Sequence, residues 1–404
     1  MDTLLVQNTP LETVQVAGAY DVVVIGGGVA GVAAALAARR NGKSVVILEK
    51  GTMLGGLATM GLVTWYLALC DGHGHKIIRG IAEELLRRSI RYGYNTLPKI
   101  WADGPDYVED ADERYVTRFS PAEFAASIEE LMQQEGIHFV YDTLFTEPLM
   151  EGARCKGVFV DECGGPRAYL GRVFIDASGD CDLAARAGAA TVWSDTNVSY
   201  WTYNTSLQRM AHAAETGRIL DALDVHWYGD EPRVKHPLYP PMVVKDAASV
   251  TQFVLQGRQC FADDLRAKGK GEDHATVCIG AMPQLRTTRR IDGVRTLRPE
   301  DIDRHCSDSI GAVGDWRKPG PRYEVPYGAL CTSQLENIFA AGRCISSDGD
   351  AWEVTRSIPA SALTGQAAGT AAALLLELDT SAQTLPIEAL QQRLTDAGVL
   401  IHFL

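Results

Sequence analysis

Read residue by residue, the chain is expected to be an α/β protein: a Rossmann-like domain with an antiparallel meander, interrupted by an inserted second domain. Three features carry that expectation. Residues 20–50 run strand, glycine turn, helix, strand, and three β-type runs follow between 137 and 177. From about 190 to 325 the texture changes, after which a strand-plus-helix pattern resumes.

Val22, Val23, Val24 and Ile25 form a short apolar run, as in a parallel strand buried on both faces. An alanine-rich helix is predicted from about Val29 to Arg40, stopped by Asn41-Gly42, and Ser44–Glu49 supplies the second strand. A glycine-rich stretch, Gly51–Gly61, and a helix at Ile81–Arg91 come next. Ser120-Pro121-Ala122-Glu123 reads as a capping box with proline at the first helical position, predicting a helix to Glu135 that ends at Gly136. The runs Ile137–Tyr141, Gly157–Val160 and Arg172–Ala177, with a turn at Gly164-Gly165, read as a small meander leading back to the main sheet.

The chain has 404 residues, and a single core rarely grows beyond about 250–300 residues, so two domains are expected. Residues 191–325 hold four of the seven tryptophans (Trp193, Trp201, Trp227 and Trp316) and no βαβ rhythm, so they are assigned to an inserted substrate or cap domain. The first domain then comprises 1–190 and 326–404, closing with a buried strand at Asn337–Gly342 and a small-residue helix at Ile358–Leu378.

A net charge of −13 opposes binding to nucleic acid or an anionic membrane, since both need a Lys/Arg surface. Met1–Ala19 has Asp2 and Glu12 but no Lys or Arg, the wrong charge for a secretory leader, and Ala367–Leu376 is too short to span a bilayer. A cytoplasmic location is the expectation, and a homo-oligomer is left open. Nine cysteines without a CxxC pair indicate reduced thiols, with neither a zinc site nor a redox dithiol. His73 and His75 alternate with glycines after Asp71, which suggests a mobile loop near the active centre; no metal site is expected.

Gly26-Gly27-Gly28-Val29-Ala30-Gly31 satisfies G-x-G-x-x-G between strand and helix, and Glu49 closes the next strand 21 residues after Gly28. Gly26 permits the turn, Gly28 lets backbone approach a pyrophosphate, and Gly31 lets helix and strand pack closely. The free N–H groups at the start of the helix, on Val29 and Ala30, favour phosphate, and Glu49 can accept from ribose hydroxyls. This is a dinucleotide-binding pattern.

Leu54-Gly55-Gly56-Leu57-Ala58-Thr59 follows directly. Here the chain resembles the glutathione-reductase-type flavoproteins and, more narrowly, the FAD-dependent oxidoreductase family. The resemblance runs on through Phe174-Ile-Asp-Ala-Ser-Gly-Asp-Cys-Asp-Leu-Ala184, Leu285-Arg-Thr-Thr-Arg-Arg-Ile-Asp-Gly293, Tyr323-Glu-Val-Pro-Tyr327, Asn337-Ile-Phe-Ala-Ala-Gly-Arg-Cys-Ile-Ser346 and Gly365-Gln-Ala-Ala-Gly-Thr-Ala-Ala-Ala373. It implies FAD as cofactor. Beyond the first turn it implies contacts from Lys50, Gly55, Gly56, Ala58 and Thr59, from Leu144, and from Ala177, Ser178, Gly179 and Asp182. The closing segment would add Gly342, Arg343 and Ile358. Where many flavoproteins place Gly-Asp for the ribityl chain, this chain has Gly342-Arg343, so Arg343, Asp348 or a backbone group is expected to replace that contact.

Candidate catalytic residues are Arg289, as a carboxylate or phosphate fork, Tyr327, as a proton donor, and Arg356, as a cation over the flavin. Each has a structural counterpart: a solvated arginine face, a core tyrosine, and an ion pair with Glu353. The aromatic group Trp193, Tyr200, Trp201, Tyr203, Trp227 and Tyr228 reads mainly as core. The expected function is hydride transfer between flavin N5 and a small organic substrate, with the electron acceptor or donor left open. The alternatives are an FAD-dependent isomerase or hydratase without net redox change, and a flavin-binding subunit without catalysis.

Overall fold

The computed structural model describes residues 14–109, 113–229 and 239–403; most of the N-terminal stretch used in the leader argument lies outside them. The predicted apolar run is the C-terminal half of strand β1 (Gln15–Ile25), and Val22, Val23 and Val24 are wholly buried. It leads into helix α1 (Val29–Arg40), and strand β2 (Val45–Leu48) returns parallel to β1. Asn41 and Gly42 end α1 as expected, with Gly42 at positive φ. A helix follows at Ile81–Ser89 and another, α2, at Pro121–Gln134. Ser120 occupies the N-cap of α2, but the predicted capping box does not form: no side chain caps the helix, and Glu123 lies against Gly93 instead.

The meander is built differently from the sequence expectation. The run at 137–141 gives strand β3 (His138–Val140), which pairs parallel with β2 and belongs to the central sheet. The meander proper is β4 (Leu144–Glu151), β5 (Arg154–Glu162) and β6 (Gly165–Asp176), all antiparallel to their neighbours in sequence. β4 was missed because Pro148 and half-exposed alternation weaken its signal. β6 has two jobs. Its first half pairs with β5, while Arg167 to Asp176 lie parallel to β1. A short helix, α3 (Asp182–Arg186), follows it.

The segment after 190 starts with Thr191–Trp193, paired antiparallel with Arg289–Ile291. Strands β7 (Ser199–Ser206), β8 (Asp224–Gly229) and β9 (His274–Ile279) form a separate antiparallel sheet with β7 central. Cross-strand pairs Tyr200–Tyr228 and Trp201–Trp227 pack on it with tilted rings, so most of the aromatic group serves packing. Helix α4 (Ala247–Lys268) lies on this sheet through Gly257, which faces Tyr200. Val244, Phe253 and Leu285 make a small apolar cluster apart from the main core. The hairpin β10 (Ser309–Gly314) and β11 (Arg322–Pro326) instead buries its side chains in the main core.

Strand β12 (Ile338–Ala340) rejoins the central sheet, parallel to the second half of β6, on the edge that β5 has vacated. Helix α5 (Gly349–Thr355) and the closing helix α6 (Ile358–Leu378) follow. α6 is apolar all round and almost entirely buried. It crosses α1 at backbone distance: a Cβ on Gly365 would stand 2.2 Å from the Ala30 carbonyl oxygen, and one on Gly369 2.1 Å from that of Ala34. This contact fixes α1 against the sheet. Among the described residues no helix is long and apolar enough to cross a membrane. All nine cysteines are free thiols and six are buried.

Because the neighbour at the crossing is backbone, a side chain there must push the helices apart. Gly369→Val is therefore expected to lower stability by about 1–3 kcal/mol, seen as a lower denaturant midpoint. An unchanged midpoint would contradict the packing described.

Candidate functional site

The loops leaving β1, β2, β6 and β12 all emerge at the carboxyl edge of the parallel strands, where open α/β sheets place their ligands. They enclose a cleft of about 1060 Å³, counted to its open mouth. Its floor is bare backbone. Gly26 (φ +98°) makes the turn out of β1 and donates its N–H to the Leu48 carbonyl at 2.8 Å. A Cβ on it would stand 2.5 Å from the Ala177 carbonyl oxygen, so only glycine fits. At Gly28, by contrast, an added Cβ would meet nothing within 4 Å. The space above it is the cleft.

The second glycine pair lies alongside the first. The Gly55 N–H donates to the Gly27 carbonyl at 2.8 Å, and Gly55 and Gly28 are bridged in parallel. Gly28, Val29 and Ala30 line the cleft at the start of α1, where no side chain caps the helix and its first turn has no acidic residue. An uncapped N-terminus offers free N–H groups and positive potential to an anion. Glu49 is buried; its Oε2 accepts the Gly27 N–H at 2.6 Å and its Oε1 the Gly51 N–H at 2.7 Å. The carboxylate braces both glycine segments and keeps lone pairs for a ligand hydroxyl. Lys50 lines the cleft next to it.

Ala177, Ser178 and Gly179 form the next wall, held from below by Asp176. Asp176 Oδ1 accepts from the Ser178 N–H (3.1 Å) and hydroxyl (2.6 Å), and Oδ2 accepts the Ala184 N–H at 2.9 Å. Burial pushes this carboxyl up to about 6, against the pull of those hydrogen bonds. On the far side stand Gly342, Arg343, Arg356, Ile358 and Ser361, the last two from the first turn of α6. α6 also begins without a side-chain cap.

The cleft thus brings together Gly26, Gly28, Val29, Ala30, Glu49, Lys50, Gly55, Gly56, Ala58, Leu144, Ala177, Ser178, Gly179, Asp182, Gly342, Arg343, Arg356 and Ile358. Other candidates stand elsewhere. Gly31 packs against the turn, where a Cβ would be 1.9 Å from the Gly26 carbonyl oxygen. Thr59 is buried and donates its hydroxyl to the Leu54 carbonyl at 2.6 Å. Tyr327 is a core tyrosine: its hydroxyl donates to the Ala382 carbonyl at 2.7 Å, and burial raises its pKa far above any useful range.

Arg289 is structural too. Its Nε donates to the Asp180 carbonyl and a terminal nitrogen to Asp182, both at 2.7 Å, while its guanidinium lies over Trp193. Arg290 is buried beneath Trp352, donating to the Ile291 carbonyl and the Ser346 hydroxyl, so the arginine run is no solvated face. Arg343 reaches the cleft but is committed to Asp180 (2.9 Å) and Thr288 (2.7 Å). Burial of Asp180 works against its ionisation, yet Arg343 and Thr288 hold it below its ordinary value. Asp348 caps the N-terminus of α5 and does not line the cleft. The His73–His75 loop is not a cleft wall either; buried Asp71 pins it by accepting both histidine N–H groups.

Sequence reasoning missed Leu57, Thr143, Phe145, Met282 and Ser361 in the lining. Leu57 and Ser361 lie inside or beside quoted motifs and were recoverable by helical and turn spacing. Met282 comes from the 190–325 segment, where no local pattern announced it.

The model of the family described as FAD dependent oxidoreductase matches residues 21–235 and 242–394. No curated protein matches the chain significantly in sequence. Among solved structures, it is similar to p-nitrophenol 4-monooxygenase from Pseudomonas putida DLL-E4, with a TM-score of 0.50 and 12% identity over 94% of this chain and 88% of that one. It is also similar to a geranylgeranyl bacteriochlorophyll reductase-like protein from Thermoplasma acidophilum, with a TM-score of 0.47 and 11% identity over 95% and 93%. At such identities the first likeness is one of fold alone.

The open space over Gly28 separates cofactor binding from folding. Gly28→Val is expected to weaken FAD binding at least about tenfold, or 1.4 kcal/mol, while leaving the circular-dichroism melt of the apoprotein unchanged. Equal FAD affinity in the variant would remove the turn from the binding site. With a bare glycine floor, two uncapped helix N-termini and a family match over nearly its whole length, the chain belongs to the FAD-dependent oxidoreductase family, as an enzyme whose cofactor is FAD.

Proposed function

We propose that the protein transfers a hydride between FAD and a small, anionic organic substrate held beside the cleft by the 191–325 segment. The observation that carries this reading is the pairing of Arg356 with the first turn of α6 on one wall of the cleft whose floor is the glycine turn. When bound, FAD supplies a two-electron centre at its N5. Every other element of the proposal belongs to this chain.

The start of α1 and the bare backbone at Gly26 and Gly28 would hold the diphosphate, and Glu49 the adenosine ribose. The N–H groups opening α6 and the Arg356 guanidinium would stabilise negative charge gathered by a reduced ring. Arg356 pairs with Glu353, yet its Nε is buried with no protein partner. Both the ion pair and the site role are therefore compatible with its position.

Support for an anionic substrate comes from Arg286. Among the described residues no carboxylate lies within ion-pair distance of it; a terminal nitrogen donates to the Ser199 hydroxyl at 3.0 Å. Burial, and then the positive charges of Arg356 and Arg343, push its pKa down. A guanidinium stays charged in a protein, so that unfavourable setting is relieved by an anion. Ser199, Tyr200, Phe253, Val254 and Arg258 line a small cavity that shares Met282 with the main cleft. This makes the 191–325 segment the proposed substrate side and 1–190 with 326–404 the cofactor side.

Under anaerobic conditions a donor from a panel of hydroxy, amino and saturated carboxylic acids is expected to bleach the flavin band. Deuterium on the donated carbon should slow the bleaching. No bleaching by any donor, together with no reoxidation of photoreduced protein by the matching oxidised acids, would overturn the reading. Arg356→Met is expected to lower the flavin midpoint potential by a few tens of millivolts, about 30 mV being 1.4 kcal/mol for a two-electron couple. An unmoved potential would assign Arg356 to structure alone.

A further inference from the structure

Away from the cleft, three side chains far apart in sequence meet where the C-terminal segment passes β11. The Glu324 carboxylate is 1% exposed. Its Oε2 accepts the Cys306 N–H at 2.7 Å, and its Oε1 the Phe403 N–H at 3.3 Å. His402 Nδ1 stands 2.9 Å from Oε2 and His305 Nδ1 3.5 Å from it, with the two rings 4.6 Å apart. One ligand atom from each residue lies within 4.8 Å of the other two.

Glu324 has no Lys or Arg within ion-pair distance among the described residues. Arg322, on the same strand, pairs with Asp303 at 3.1 Å and lies over the Phe403 ring. A buried carboxylate without a Lys or Arg partner carries a desolvation cost. A small divalent ion would offset it. Zinc–nitrogen and zinc–oxygen bonds of about 2.0–2.2 Å put neighbouring tetrahedral ligands roughly 3.3–3.5 Å apart. The two nitrogen–oxygen distances, 2.9 and 3.5 Å, bracket that edge length, and the third edge, between the two imidazole nitrogens, is no longer than 4.8 Å.

The donor set selects the ion. Two imidazole nitrogens and one carboxylate oxygen suit zinc and its first-row neighbours rather than magnesium or calcium. The backbone N–H of Cys306 takes one lone pair of Oε2 and leaves the other for the ion, as an outer-shell donor does. The His305 side chain is 70% exposed and that of His402 39%, so a fourth position opens to solvent.

We propose that His305, Glu324 and His402 form a binding site for a zinc-type divalent cation that fastens the C-terminal segment to the β10–β11 hairpin. That segment already docks there: Ala312 N–H donates to the Leu400 carbonyl at 3.0 Å, and the Ser309 hydroxyl to that of Ile401 at 2.7 Å. None of the three ligands lines the FAD cleft, so the site is independent of the flavin reading.

The test uses full-length, FAD-loaded protein stripped of metal by a chelator, then titrated with Zn²⁺ against a colorimetric competitor and, separately, with Co²⁺. Saturable binding of one Zn²⁺ is expected, with a rise in melting temperature. Co²⁺ should give visible d–d bands without the thiolate charge-transfer band that the exposed thiols of Cys163 and Cys278 would produce. His305→Ala and His402→Ala should each weaken Zn²⁺ binding at least about tenfold and abolish the melting shift, with FAD content unchanged. These two positions are exposed enough to be replaced without unfolding the chain, so they decide the matter even if Glu324→Gln fails to fold. Failure of the wild type to bind Zn²⁺ saturably, equal affinity in both histidine variants, or a thiolate band with Co²⁺ would each overturn the site.

Discussion

The structure depends on a helix that starts with nothing over its first turn. α1 leaves β1 through a glycine turn, meets no capping side chain, and presents its opening N–H groups to the cleft. Everything around it serves to keep that end bare and fixed. Glu49 ties the turn to the next strand through the Gly27 and Gly51 N–H groups, while Gly365 and Gly369 let α6 press on α1 carbonyl to Cα. A side chain at Gly365 or Gly369 would meet α1 backbone, shift the axis of α1 and misplace its opening N–H groups.

The second consequence concerns how positive charge is shared out. Five arginines gather near the cleft, but their neighbours divide them by role. Arg289 and Arg343 are neutralised by Asp182 and Asp180 and hold the loop after β6 against the strand at Arg289–Ile291. Arg290 lies buried under Trp352, with its Nε unpartnered but outside the cleft lining. Arg286 has no carboxylate within ion-pair distance among the described residues, and the Nε of Arg356 is buried without a protein partner. An unpartnered nitrogen is available to a ligand only where its side chain also borders the cleft, as that of Arg356 does and that of Arg290 does not.

Away from the cleft, the C-terminal segment is joined to β11 through Glu324. Glu324 is buried against two backbone donors and two imidazoles, and that arrangement makes the proposed cation site compatible with a purely structural role in holding the segment. The glycine-floored cleft and the docked C-terminal segment thereby occupy separate parts of one core.

Local order was legible in the sequence wherever neighbours along the chain are also the interacting partners. The valine run, the glycine turn and Glu49 fixed the βαβ unit and its anion-binding end, because strand burial, turn geometry and helix start are set within about 30 residues. The same reading failed where pairing is remote. His138–Val140 joined the central sheet because β2 lay open beside it, and Leu144–Glu151 became a strand because β5 supplied its partner. Arg289 and Tyr327 have the chemistry of catalytic groups, but Asp182 and the Ala382 carbonyl, which claim them, are 107 and 55 residues away. Met282 in the cleft wall and the meeting of His305, Glu324 and His402 likewise have no signature in one dimension. Residue type and spacing determined what each segment was able to do; tertiary structure decided which groups were left free to do it, since a side chain's availability depends on the partners that folding brings within reach.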